Sequence, residues 1–135
     1  MKAIKCAALL AFLSLPAAGG DDSEPGAKPG AKLYETHCGT CHQMDGSGVF
    51  MMQPPLRRAP RANGPVGGVM EMILSGSAAV PPGSSDYNSE MPPFDFLSDE
   101  EIAAIATYVR TSFENTGGAV TPTDVADKRR SWTAN

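Results

Sequence analysis

The stretch "ETHCGTCHQMDGSG", residues 35–48, holds two of the chain's three cysteines and both of its histidines. Cys38 and Cys41 are separated by Gly39 and Thr40, and His42 follows directly. Two thiols and an imidazole at this spacing offer four chemistries: a disulfide, a redox dithiol, half of a zinc site, or covalent anchorage of a cofactor. A redox dithiol of the thioredoxin kind needs a strand–helix–strand surround, which is not readable here. Zinc needs four ligands and usually a second cysteine pair, whereas the only other histidine, His37, is adjacent to Cys38. A disulfide closing a two-residue loop constrains the chain little. The fourth reading depends on where the protein goes and on what else fills its core.

The elements around this stretch bear on both points. Residues 1–20, "MKAIKCAALLAFLSLPAAGG", open with Lys2 and Lys5, run apolar from Cys6 to Leu15 and end in small residues. This is the pattern of a secretory signal peptide, cleaved near Asp21 and carrying Cys6 away with it. The apolar run is too short for a permanent membrane span, which needs roughly 20 residues. Loss of Lys2 and Lys5 takes the formal charge from −4 to −6. An acidic chain without a basic stripe argues against nucleic acid as a partner. Residues 21–29 read as a flexible leader, 30–116 as one domain, and 117–135 as a carboxy-terminal extension.

Within the domain the pattern is all-α. "AKLYETHCGTCH" predicts a short helix that runs into the cysteine pair, with Tyr34, Cys38 and Cys41 on one face. Residues 43–65 are broken by Gly46, Gly48, Pro54, Pro55, Pro60, Gly64 and Pro65 and read as irregular. "VGGVMEMILSG" predicts a second helix that starts after Pro65 and stops at Gly76. A long loop follows, containing "VPPGSSDYNSEMPPF". The third helix carries the strongest signals. Ser98 and Glu101 form a capping box, Asp99 and Glu100 suit the positive end of the dipole, and Ile102, Ile105, Ala106, Val109 and Phe113 recur at helical spacing. Its end is expected near Asn115, stopped by Gly117 and Gly118. The tail is expected to hold one further turn at 123–128 and otherwise to fray.

Three helices joined by proline-rich loops, with one Trp, three Tyr and five Phe in the whole chain, provide little material for a core. Small domains of this kind need a staple, a metal or a cofactor. In an exported chain, C-x-x-C-H is the attachment signal for haem c: the two thiols add across the vinyl groups and the histidine reaches the iron. Cys38 and Cys41 are therefore the expected anchors and His42 the expected iron ligand.

The segments "GAKLYETHCGTCHQMDGSG", "PPL" at 54–56, "MPPF" at 91–94 and "LSDEEIAAIATYVR" at 97–110 together resemble a class I monohaem cytochrome c over roughly residues 30–115. The resemblance implies an all-α fold, three main helices wrapped around one covalent haem, with the first and last helices crossing where Gly30 or Tyr34 meets Tyr108. It implies Met91 as the sixth ligand, from a loop before the last helix. It also implies that the Pro55 carbonyl accepts a hydrogen bond from His42 and that Leu56 packs on the haem. Arg57, Arg58 and Arg61 are available to haem propionates, to a docking partner or to solvent.

The implied function is periplasmic electron transfer through His/Met-ligated iron, between a redox donor and acceptor such as a periplasmic dehydrogenase and a terminal oxidase. On this reading the protein is a carrier and not an enzyme. The run "YVRTSFENTGGAVTPTDVADKR" resembles the end of haem domains in cytochrome subunits of periplasmic dehydrogenases, so a haem subunit of such a complex is the alternative. Two rivals remain: an open-site ligand-binding or peroxidatic haem protein, and a thiol–disulfide protein without haem.

Overall fold

The computed structural model describes residues 29–133, so the expected signal peptide and the expected leader up to residue 28 lie outside the described residues. The helices are α1 Pro29–His37, α2 Gly39–His42, α3 Pro60–Asn63, α4 Val66–Ser75, α5 Asp99–Thr111 and α6 Pro122–Thr133, with a 3-10 turn at Gly76–Ala79 after α4. Among the described residues the only β pairing is an isolated antiparallel bridge between Val49 and Gln53.

The predicted first helix is in fact two. Cys38, at φ −123°, interrupts it, and the four-residue α2 carries the second cysteine and His42. α1 crosses α5 at Gly30, where a side-chain Cβ would lie 2.1 Å from the Ala104 carbonyl oxygen. That approach is open only to glycine. One turn on, the fully buried Tyr34 stacks against Tyr108 and Phe113, at ring-centroid distances of 5.3 and 5.1 Å. Its hydroxyl donates to the Gln43 carbonyl at 2.6 Å, so the core gains the ring without stranding the polar tip. Burial is the main reason the phenol is held well above its ordinary pKa.

α5 begins on the expected capping box. Ser98 Oγ accepts from the Glu101 amide, and Glu101 returns a carboxylate to the Ser98 amide at 2.8 Å. Its buried stripe is Ile102, Ala103, Ile105, Ala106 and Val109, which meets Val69, Met70, Ile73 and Leu74 of α4 in one core. α5 stops at Thr111, four residues short of the expected Asn115 and ahead of the two glycines. Phe113 and Glu114 instead adopt left-handed φ values of 54° and 61°, which turn the Phe113 ring back onto Tyr34 and Tyr108. Tertiary packing of one aromatic ring ends the helix before its glycines can.

The tail corrects a second expectation. It forms the 12-residue α6, packed on α4 and α5, and Val120 and Val125 enter the core. Thr121 and Asp124 cap it reciprocally, with Pro122 in the first turn. Thr107 on α5 clasps Val120 through both its amide and its carbonyl. Arg110, 5% exposed, spends its guanidinium on the carbonyls of Gly64, Gly117 and Gly118 and thereby ties the returning chain to the start of α4.

Candidate functional site

α2 is built on the Cys38 carbonyl, which accepts from the amides of Cys41 at 3.1 Å and His42 at 2.9 Å. The Cys38 amide in turn donates to Tyr34 at 2.8 Å, so the site hangs directly from the α1–α5 crossing. Cys38 is half-buried, Cys41 exposed and His42 buried. Gly39 is buried between them, and a Cβ there would meet the Met44 sulfur at 2.7 Å. Both thiols are free. Burial, then the neighbouring Cys41, pushes the Cys38 thiol up to about 11. A redox-active dithiol needs the opposite shift, toward thiolate near neutral pH.

His42 Nδ1–H donates to a proline carbonyl at 3.0 Å, but that carbonyl belongs to Pro54 and not to the expected Pro55. The chain turns so that the first proline of the pair points its oxygen inward; Pro55 is exposed and lines a surface groove with Phe50 and Tyr87. The bond fixes the tautomer and leaves Nε2 with its lone pair. Burial lowers the pKa of His42, only partly offset by the Pro54 carbonyl, so the ring is a neutral donor at physiological pH. Leu56, half-buried against the core, is held at both ends of its peptide: its amide donates to Gly46 at 2.8 Å and its carbonyl accepts from Asn115 at 2.8 Å.

Met91 sits on a separate segment, half-buried. Its amide donates to Ser77 Oγ at 2.7 Å and its carbonyl accepts from the Ser77 amide at 2.9 Å. Gly76, with φ 57°, allows this closeness, since a Cβ would lie 2.2 Å from the Met91 oxygen. Just upstream, Asn88 and Ser89 donate their amides to the carbonyls of Met51 and Met52, which joins the Met91 segment to the hairpin that leads into Pro54. His37 takes no part in this set and packs edge-on against Phe94 and Phe96. Arg57 and Arg58 both pair with Glu114, and Arg57 also approaches Asp45 at 3.7 Å. These two arginines brace the loop against the end of α5, while Arg61 is exposed.

Sequence reasoning missed the amide pair behind this loop. Asn63 donates to Asn115 at 2.9 Å, and Asn115 donates to the carbonyls of Leu56 and Val109. Asn115 is 6% exposed, and its only sequence signal is a lone amide after a helix end. Phe113 was read as part of a helical stripe; its ring lies against Gly46, where a Cβ would be 2.6 Å from it.

No group of three or more His, Cys, Asp or Glu side chains among the described residues could hold a metal ion by itself. The donors present are two free thiols and one oriented imidazole within a single turn, the set that covalent haem requires. A family profile described as Cytochrome c matches residues 27–113. The chain belongs to the cytochrome c family. Its fold is accordingly the all-α cytochrome c fold, and its cofactor is one covalently attached haem c with its iron. The cytochrome is 34% identical over 105 residues to the cytochrome c subunit of a quinone alcohol dehydrogenase from Gluconacetobacter polyoxogenes, covering 75% of this chain and 22% of the relative. The corresponding subunit from Gluconobacter oxydans is 32% identical over 104 residues, 74% of this chain and 22% of the relative. Cytochrome c-552 of Thermus thermophilus is 30% identical over 89 residues, 62% of this chain and 67% of the relative. The cytochrome thus spans about a fifth of the dehydrogenase subunits it matches and two thirds of cytochrome c-552. Electron transfer is the function associated with this family.

Proposed function

We propose that this cytochrome is a periplasmic one-electron carrier whose haem is anchored by Cys38 and Cys41 and whose iron is ligated by His42 and Met91. The observation that carries the reading is the His42–Pro54 hydrogen bond: it commits Nδ1, buries the ring and leaves Nε2 as the single available donor one residue from an anchoring thiol. Haem c supplies reversible ferrous–ferric cycling when bound. The chain's own residues orient the imidazole through Pro54, hold the Leu56 loop through Asn115, and seat the Met91 backbone on Ser77. With haem bound, Met91 as a second protein ligand beside His42 would favour a raised reduction potential and would leave no open position for substrate.

Export rests on the amino-terminal pattern and places the carrier between redox proteins of the periplasm, with a dehydrogenase as donor and a terminal oxidase as acceptor. Similarity to dehydrogenase cytochrome subunits favours a second reading, in which the chain serves as the haem subunit of such a complex. A haem stain on a denaturing gel of the periplasmic fraction tests anchorage and location together. For the ligand, Met91→Ala is expected to keep the stain and to lose the near-infrared charge-transfer band of methionine-ligated ferric iron. An unchanged band would show that another residue ligates.

A further inference from the structure

We propose that α6 is a clasp on the Met91 segment and that Arg129 is its positioning residue, setting how readily the sixth ligand leaves the iron. The inference rests on the reading of Met91 as that ligand. α6 lies wholly beyond residues 27–113 that the family profile matches. The Arg129 guanidinium faces back across the molecule, and its bonds there include those to Asp99 Oδ1 at 2.7 Å, the Asp95 carbonyl at 2.8 Å and the Leu97 carbonyl at 2.5 Å. These three acceptors span the end of the loop that begins at Met91 and the first residue of α5.

That loop needs outside donors. Pro92 and Pro93 follow Met91 and have no N–H to give, so two of its backbone anchors are missing from the outset. What remains is the Ser77 pair at Met91, the Phe94 amide on the Ile73 carbonyl at 2.9 Å, the Leu97 amide turned back on the Phe94 carbonyl at 3.2 Å, and the Arg129 fork at the far end. A planar guanidinium held by one carboxylate and two carbonyls resists sliding in a way that a single ammonium contact does not. α6 also has its own attachments, independent of Arg129: Val125 is fully buried, Lys128 pairs with Glu71 at 3.2 Å, and Thr121 and Asp124 cap its start. The clasp can therefore be cut while the helix stays docked.

The test uses the haem-loaded full chain and exogenous imidazole, which binds ferric iron only when the methionine is off. Its apparent affinity thus reports the fraction of molecules with the loop open. Arg129→Ala is expected to tighten apparent imidazole binding about tenfold or more, the scale set by losing a charge-assisted fork. Arg129→Lys should fall between Ala and wild type. Lys128→Ala, on the same helix, should lower the denaturation midpoint and leave imidazole affinity unchanged. If Arg129→Ala binds imidazole as wild type does, or if Lys128→Ala tightens binding equally, the clasp is overturned while Met91 ligation stands. A wild-type ferric spectrum with no methionine band, or one that Met91→Ala leaves intact, overturns both readings.

Discussion

Asn115 shows how a neutral side chain can govern a cofactor site that it does not touch. Its Nδ2 group donates to the carbonyls of Leu56 and Val109 at 2.8 Å each, and its Oδ1 accepts from Asn63. It thus joins the Leu56 loop to the end of α5 in a buried setting, where each orphaned polar group costs about 1–3 kcal/mol. Asn115→Ala is expected to lower unfolding stability by about 2–3 kcal/mol, measured as a shift in the denaturant midpoint of the haem-loaded protein. Asn115→Asp should be worse, because it sets a carboxylate against two carbonyl oxygens. At this scale the sequence was legible where chemistry is local. Cys38, Cys41 and His42 announce themselves by spacing. Which of two adjacent prolines turns its carbonyl toward His42 depends on the path of the backbone, and for that reason Pro55 was expected where Pro54 acts.

Among the elements, α5 and α6 differ in how much of their stability is written nearby. α5 carries a capping box and a five-residue buried stripe, so both its start and its inward face were readable. α6 buries Val125 and otherwise depends on distant partners, Lys128 on Glu71 and Arg129 on Asp99, which no local pattern reveals. Its one local signal, Thr121-Pro122-Thr123-Asp124, forms a cap with proline in the first turn, where a single turn at 123–128 and a frayed tail were expected. The hydrogen bonds from the Thr121 hydroxyl and then its amide hold the Asp124 carboxyl below its usual range. A depressed carboxyl stabilises the fold fully above the unfolded pKa, and that contribution is lost as pH falls through the folded value. The difference in urea midpoint between wild type and Asp124→Asn should accordingly be constant from neutral pH down to the ordinary carboxylate range and then shrink. A difference that grows on acidification would contradict the cap.

Taken whole, the molecule is acidic, with a formal charge of −4 over the full chain, and its site-bracing arginines Arg57 and Arg58 are matched by Glu114. Asp86 and Tyr87 line the groove beside the exposed Phe50 and Met51, so the approach on that side is apolar with an acidic rim. Small reagents should sense this charge. Oxidation of the reduced cytochrome by a cationic cobalt complex is expected to slow as salt is added, and oxidation by hexacyanoferrate(III) to quicken. Stopped-flow rates across ionic strength decide the matter, and matching slopes for the two reagents would sink it. The one-body character of the fold was only half visible beforehand, since α1, α4 and α5 could be read locally while the tail that closes over α4 and α5 could not.

One regularity runs through four of the side chains that brace the site and the core. His42 donates to Pro54, Asn115 to Leu56, Arg129 to Asp95 and Leu97, and Arg110 to Gly64, Gly117 and Gly118, and in each case the acceptor is a main-chain oxygen. Every amino acid carries that oxygen, so a codon change at the accepting position leaves the brace its partner. The hereditary risk then falls on one side of each contact, on four donor codons, while the accepting positions are free to drift as far as their own side chains allow.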